Sequence, residues 1–312
     1  MKTLNEAFST LSTRRRYEVW FVRLGLADHS CAWWFRYLLM NPGRSGTSDP
    51  AVMPVQVWAS WFPVAGPPTT VISSFPVQDL QLSAKGEQPF HFRIGENAIG
   101  ENFCRGAIIA DGHSLSWDLS YSSTFRATLS DKGWIGFSRT PHSDAIFSGH
   151  ITLDGKRLEG HPLGFGLQGH NCGYRHRSFW TWTHAFFSRP EGPPSTLEAL
   201  VYDMPFGLFF RRAVLWHKGK QYRFNRLREI RRERQHVQWD FESQSREGLQ
   251  LTVSVDGAGK SIHRLAYRKT NYSGNFEVLN NSAAKCRVQL QHASGESETL
   301  ETATGAALEM AG

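Results

Sequence analysis

The stretch Gln168-Gly169-His170-Asn171-Cys172-Gly173-Tyr174-Arg175-His176-Arg177-Ser178-Phe179-Trp180-Thr181-Trp182-Thr183-His184 decides how the chain is read. Its first half, framed by Gly169 and Gly173, reads as a donor-rich loop. Its second half alternates: Phe179, Thr181 and Thr183 fall on one side of an extended chain, and Trp180, Trp182 and His184 on the other. A loop that feeds a strand with an aromatic face can shape a pocket for a flat or greasy ligand. The same residues would also serve as the turn and first strand of a well-packed barrel.

Outward from this stretch, short strand-like runs follow one another. Arg16 to Leu26, Cys31 to Met40, Val55 to Phe62, Arg105 to Ala110, Ser114 to Tyr121 and Ala145 to Leu153 precede it; Leu197 to Tyr202, Leu208 to Trp216, Gln235 to Glu242 and Leu249 to Val255 follow it. Asp111-Gly112 and Asp154-Gly155 are hairpin signals between such runs. Long amphipathic helices are absent, and only residues 1 to 12 suggest a short helix. An aromatic share of 13% favours half-buried pleated surfaces. Together these predict an all-β protein of barrels or sandwiches rather than βαβ units. The aromatic opening hairpin Tyr17 to Met40 is echoed by Phe179 to Tyr202, and Ser116-Trp117-Asp118-Leu119 by Gln238-Trp239-Asp240-Phe241. Two related antiparallel barrels in tandem, 1–166 and 167–312, follow from that repeat, with the central stretch opening the second.

Mean hydropathy of -0.40, with no long apolar run, argues against a membrane-spanning helix. Met1 to Arg16 lacks the apolar core of a secretory signal, and Cys31, Cys104, Cys172 and Cys286 are scattered, so a cytoplasmic chain with free thiols is expected. The charge of +7 predicts salt-sensitive contact with anionic membrane surfaces. Nucleic acid is not expected as a partner: the basic run Arg223 to Arg234 reads as a strand or short helix with a solvated face.

Three chemistries compete for the central stretch. His170, Cys172 and His176 form an H-x-C-x3-H cluster, with His184 or Asp203 as a fourth ligand, but the spacing matches no structural zinc pattern; no metal and no cofactor are expected. Cys172 beside His170 lacks the surroundings of a nucleophile site, and Gly164 to Gly169 matches G-x-G-x-x-G without opening a helix. Acid-base work is favoured: a carboxyl in an aromatic, poorly solvated cavity is a proton donor near neutrality, with Asp203, His170 and His184 as candidates.

Gly169-His170-Asn171-Cys172-Gly173 followed by Phe179-Trp180-Thr181-Trp182 resembles the junction motif of the tocopherol cyclase-like and carotenoid hydratase (AttH-like) family. Tyr17-Glu18-Val19-Trp20-Phe21 and Trp117-Asp118-Leu119-Ser120-Tyr121 resemble further pieces of it. The resemblance implies tandem lipocalin-like barrels and proton-initiated cyclisation or hydration of an apolar isoprenoid or polyketide-like substrate. It implies His170 as the loop histidine, with Tyr202 and Asp203 as the phenolic and acidic groups. Trp20, Trp34, Asn171, Cys172, Trp180, Trp182 and His184 would line the ligand. Cys172 departs from the family, which has Trp there, and an aromatic face for a developing cation is lost. The alternative is a non-catalytic binding protein for a lipid, carotenoid or quinone.

Overall fold

A computed structural model describes residues 4–8, 14–43, 53–84, 86–132, 135–189, 192–233, 236–242, 248–257 and 262–312. The first sheet comprises β1 (Arg16–Leu26), β2 (Cys31–Asn41), β3 (Val55–Pro63), β4 (Thr69–Phe75), β5 (Gln81–Leu82), β6 (His91–Ile94), β7 (Asn97–Gly100), β8 (Phe103–Ala110), β9 (His113–Ser122), β10 (Ala127–Asp131), β11 (Gly136–Leu153) and β12 (Lys156–Gly173). The second comprises β13 (Trp180–Phe187), β14 (Ser195–Asp203), β15 (Phe209–His217), β16 (Lys220–Phe224), β17 (Arg226–Glu233), β18 (His236–Glu242), β19 (Gln250–Asp256), β20 (His263–Arg268), β21 (Asn275–Gln291) and β22 (Ser297–Ala311). Both sheets are antiparallel, as the alternation and hairpin signals lead one to expect. Asp111-Gly112 and Asp154-Gly155 take positive φ throughout and close tight hairpins.

The strand orders repeat. The first sheet runs β4-β3-β2-β1-β12-β11-β9-β8 and onward; the second runs β16-β15-β14-β13-β22-β21-β19-β18 and onward. Each sheet lays its first strand against its last, and each has a side strand on the penultimate one. The tandem reading therefore holds at the level of topology. The Trp117 and Trp239 echo does not: Trp117 lies on β9, next to β11, whereas Trp239 lies on β18, one strand further from β21.

Three apolar clusters result. Trp20, Trp33, Phe35, Trp117 and Phe147 form the core on one face of the first sheet, and Phe187, Trp239, Phe241 and Val253 that of the second. Between the sheets lies a third, built from Phe21, Trp34, Trp58, Trp180, Trp182, Tyr202 and Tyr267. Strand β1 is thus buried on both faces, with Trp20 and Val22 inward and Val19 and Phe21 toward the second sheet. Each large apolar side chain so buried contributes about 1.5–3 kcal/mol. Arg23, on the outer face of β1, staples the sheets: its guanidinium donates to the carbonyls of Ser282, Thr304, Gly305 and Ala306 at 2.6–3.2 Å. Burial pushes its pKa down to about 9, a cost those carbonyls offset.

Two expectations are corrected here. Gln168 to Gly173 is not a loop but the end of β12, paired with β1 from Tyr17↔Gly173 to Val22↔Gln168. Its glycines serve close packing: a Cβ on Gly169 would stand 2.3 Å from the Phe21 ring. The 166/167 boundary consequently falls inside a strand of the first sheet, and the chain crosses to the second sheet over 174–179. Leu4 to Phe8 form a turn and an irregular segment rather than a helix; residues 1–3 and 9–12 of that expected helix lie outside the described residues.

Candidate active site between the sheets

The crossing from β12 to β13 divides the residues that the sequence grouped together. Trp20, His170 and Cys172 point to the first sheet's interior, away from the second sheet. The His170 ring stacks on Trp20 with centroids 4.6 Å apart. Its Nδ1 lies 2.8 Å from the carbonyl of Leu4, and its Nε2 lies 2.8 Å from Oε1 of Glu18. The same N-terminal segment accepts from Trp20 Nε1 at the carbonyl of Asn5 and donates from Phe8 N to Glu18. Both nitrogens of His170 are therefore committed to fixed protein groups, and the ring is fully buried. Cys172 is buried beside Arg16, whose Nη1 lies 3.8 Å from the sulfur.

Past Gly173 the chain leaves the sheet, and His176 lands in a different place. Its ring stacks on Tyr17 with centroids 4.1 Å apart and also meets Trp180, Tyr267 and Phe276. His170 and Cys172 therefore do not join His176 in a ligand set, and among the described residues no group of three His, Cys, Asp or Glu side chains could hold a metal. Burial, helped by the nearby Arg36 guanidinium, pushes the His176 pKa down to about 3. The ring is neutral, and its Nδ1 has no hydrogen-bond partner among the described residues.

Around His176 lies an aromatic chamber with two charged groups. Arg36 projects from the outer face of β2, and its guanidinium lies over Tyr267 at 4.3 Å, Trp58 at 4.8 Å and Trp34 at 5.6 Å. It is only 6% exposed, and its Nη1 has no partner among the described residues. Glu309 projects from β22. Trp180 Nε1 donates to its Oε1 at 2.9 Å, the Tyr267 hydroxyl to its Oε2 at 2.8 Å, and Asn280 Nδ2 to the same oxygen at 3.4 Å. Burial raises the Glu309 pKa, and the Arg36 charge and these donors only partly counter that. Burial also holds the Tyr267 phenol well above its ordinary value. His176 and Phe276 form the chamber's wall toward a cleft of about 790 Å³, which Arg175, Arg177, Asp203, Arg232 and Lys269 also line. That volume suits a small molecule.

The remaining expected residues surround this chamber. Trp34, Trp180 and Trp182 belong to the inter-sheet cluster, and Trp182 packs edge-on against Phe21. Asn171, half-buried, pairs with Val19 on the neighbouring strand β1, and its Oδ1 has no partner among the described residues. Tyr202 stacks on Phe210 and lies under Arg177, with its hydroxyl 3.3 Å from Ser130 Oγ. His184 donates from Nε2 to the Ser143 carbonyl at 2.8 Å, and burial holds its pKa at about 3. Asp203 sits at the cleft's rim and not in an apolar cavity. Burial alone would raise its pKa, but the Ser178 hydroxyl at 2.6 Å, the Phe179 N–H at 3.0 Å and Arg177 together lower it. The raised carboxyl expected at Asp203 is found instead at Glu309 and Glu198. Glu198 lies between the sheets, taking bonds from Thr140 Oγ1 at 2.7 Å and Trp182 Nε1 at 3.1 Å, and burial pushes it up to about 7.

Arg36, Glu198, Tyr267 and Glu309 were missed, yet three of them carried a signal. Each charge stands alone in an apolar run: Trp33-Trp34-Phe35-Arg36-Tyr37-Leu38, Leu197-Glu198-Ala199-Leu200 and Ala307-Leu308-Glu309-Met310. A lone charge inside a buried strand requires a partner or a task.

The repeated strand order gives the chain a tandem lipocalin-like, all-β fold. CghA bound to Sch210972 superposes with a TM-score of 0.64 at 11% identity, over 95% of this chain and 88% of that one. Kievitone hydratase from Nectria haematococca gives 0.59 at 13%, over 99% and 92%, and a putative AttH from Nitrosomonas europaea gives 0.50 at 12%, over 97% and 94%. At such identities the likeness is one of fold. The sequence itself matches no family model and no curated protein.

Proposed function

We propose that this protein is a cyclase- or hydratase-type enzyme that adds an oxygen or carbon nucleophile across a double bond of an apolar, isoprenoid- or polyketide-like molecule. Glu309 is its general acid. One observation carries the reading: a carboxyl whose pKa is raised by burial, held by Trp180 and Tyr267 in an aromatic cluster that His176 and Phe276 separate from the cleft. The protonated acid can pass its proton to the substrate while the Tyr267 hydroxyl keeps donating to Oε2. After transfer, the Tyr267 O–H, the Trp180 N–H and the Asn280 amide stabilise the carboxylate. His170 and Asp203 take supporting parts, the first bracing the N-terminal segment and the second fixing the start of β13. The fold's likeness to kievitone hydratase and to ligand-bound CghA supports the class.

A seat on anionic membranes goes with this reading. The turn between β14 and β15 raises Phe206, 98% exposed, beside the exposed Leu208 and Phe209. Phe209 packs edge-on against Phe179, over whose ring lies Arg232 of the cleft.

Incubation of the purified protein with unsaturated polyketide and prenylated phenol substrates, followed by mass spectrometry, tests the enzyme reading. Glu309→Gln should abolish product while leaving ligand affinity within about threefold. Tight binding by wild type with no product from any such substrate would instead make the chamber a carrier's binding site.

A further inference from the structure

The chamber contains a cation that the acid alone does not explain. Arg36 is nine-tenths buried, its guanidinium lies over the faces of Tyr267, Trp58 and Trp34, and its Nη1 has no partner among the described residues. Glu309 is close enough for the two charges to act on each other, and both reach Tyr267, one at the ring face and one at the hydroxyl. No ion pair joins them among the described residues, so a buried N–H donor and a carboxyl lie on either side of Tyr267 without closing on each other. The neighbouring His176 adds a second polar atom without a partner among the described residues, Nδ1, on a neutral ring. A buried donor without an acceptor is costly, and a guanidinium more so than an amide. An oxygen atom of a ligand would relieve it.

The charge also restricts the chemistry. Protonating an isolated alkene creates a carbocation, and the ring faces that would stabilise it already carry the Arg36 cation. Like charges in so poorly solvated a site repel strongly. An intermediate that gathers negative charge on oxygen has the opposite preference.

We propose that Arg36 is the specificity-determining residue of this site and that it selects substrates whose reacting double bond is conjugated to a carbonyl or enol oxygen, which docks on Nη1. This rests on the chamber reading above. It favours the polyketide-like class over simple isoprenoid alkenes. In the reaction, a hydroxyl or water oxygen forms its bond to the β-carbon. The C=C electron pair shifts toward the carbonyl carbon, and the carbonyl π pair takes the proton of Glu309. The nucleophile's proton passes to the Glu309 carboxylate, restoring the acid, and the enol reverts to the ketone in solvent. No electrons leave or enter the system.

Ligand binding tests this without any turnover. Dibenzoylmethane, an enolisable β-diketone, and diphenylpropane, the hydrocarbon of the same skeleton, are titrated against the full-length protein by quenching of tryptophan fluorescence. Wild type should hold the diketone about tenfold or more tighter, the factor of one charge-assisted hydrogen bond. Arg36→Met should close that gap while leaving diphenylpropane affinity within about twofold of wild type. Arg36→Gln is the second variant should the first not fold. Equal affinities in wild type, or a gap that survives loss of Arg36, would overturn the proposal. Glu309→Gln should keep the gap, so a failure of the acid assignment and a failure of this one read out separately.

Discussion

The indole N–H of Trp180 donates to Oε1 of Glu309 at 2.9 Å, a diagonal contact across the β13–β22 ladder in which Trp182 is the residue opposite the carboxylate. The bond favours the charged form, because the N–H has no acceptor lone pair to offer an acid proton. Trp180→Phe keeps the ring and removes the donor. The Glu309 pKa, already raised, should rise further. Since the acid form works, kcat falls as pH rises through that pKa, and in the variant this limb should move to higher pH. The maximal rate should drop about tenfold as the departing carboxylate loses a donor, with KM little changed. A pH profile of kcat for both proteins checks this.

Glu198 should dominate the pH dependence of stability between the sheets. Its pKa stands at about 7 in the folded chain against an ordinary value of 4.5, because burial outweighs the bonds from Thr140 and Trp182. The folded chain holds the proton more tightly than the unfolded chain. Stability is thus full below the ordinary value and is lost as pH rises toward the folded one, by about 3 kcal/mol in total. Glu198→Gln keeps an acceptor for Trp182 and carries no charge. Urea unfolding at pH 5 and pH 8 should show a large loss for wild type and a small one for the variant.

What the sequence showed of this arrangement, and what it hid, follows from how strands are read. Alternation located most strands and the two Asp-Gly turns, because a one-sided apolar pattern and a left-handed turn are local properties. Gln168 to Gly173 deceived because glycine usually marks a loop, whereas here it makes room for Phe21 of the neighbouring strand. The buried end of β22, Ala306 to Ala311, holds no β-branched residue and three alanines, so it did not read as a strand and Glu309 went unnoticed. The Trp180 and Trp182 face was legible as an aromatic surface. That it would meet Trp34 and Trp58, and not a barrel interior, depends on how two sheets pack, which strand periodicity does not encode.

His170 and Asp203 should separate stability from chemistry. His170→Ala removes the imidazole that joins the Leu4 carbonyl to Glu18, leaving a buried carboxyl without it and a hole beside Trp20. A loss of about 3–5 kcal/mol is expected in urea unfolding, with turnover per folded molecule within about twofold of wild type. Asp203→Asn retains an oxygen for the Phe179 N–H and should cost about 1 kcal/mol or less. Its pH profile should overlay that of wild type, because a carboxyl held low by Ser178, Phe179 and Arg177 is ionised throughout the working range. A displaced acid limb in Asp203→Asn would return the acid role to that residue.

The exposed turn at Phe206 yields the last expectation. A phenylalanine 98% exposed, in a left-handed conformation and flanked by exposed Leu208 and Phe209, gains nothing from the fold. Immersed in a lipid monolayer, the ring would recover about 1.5–3 kcal/mol, roughly tenfold or more in partition. Through Phe209 and Phe179 the turn connects to the cleft margin, where Arg175, Arg177, Arg232 and Lys269 outnumber Asp203 and Glu277. Apolar tip and basic rim together call for anionic lipid. Sedimentation with phosphatidylglycerol-containing vesicles should retain wild type at low salt and release it as salt screens the rim. Phe206→Ser should weaken binding about tenfold at every salt concentration, while neutral phosphatidylcholine vesicles bind both proteins poorly. Equal retention of Phe206→Ser and wild type would assign the turn to some other contact and leave the charge alone to account for any attachment.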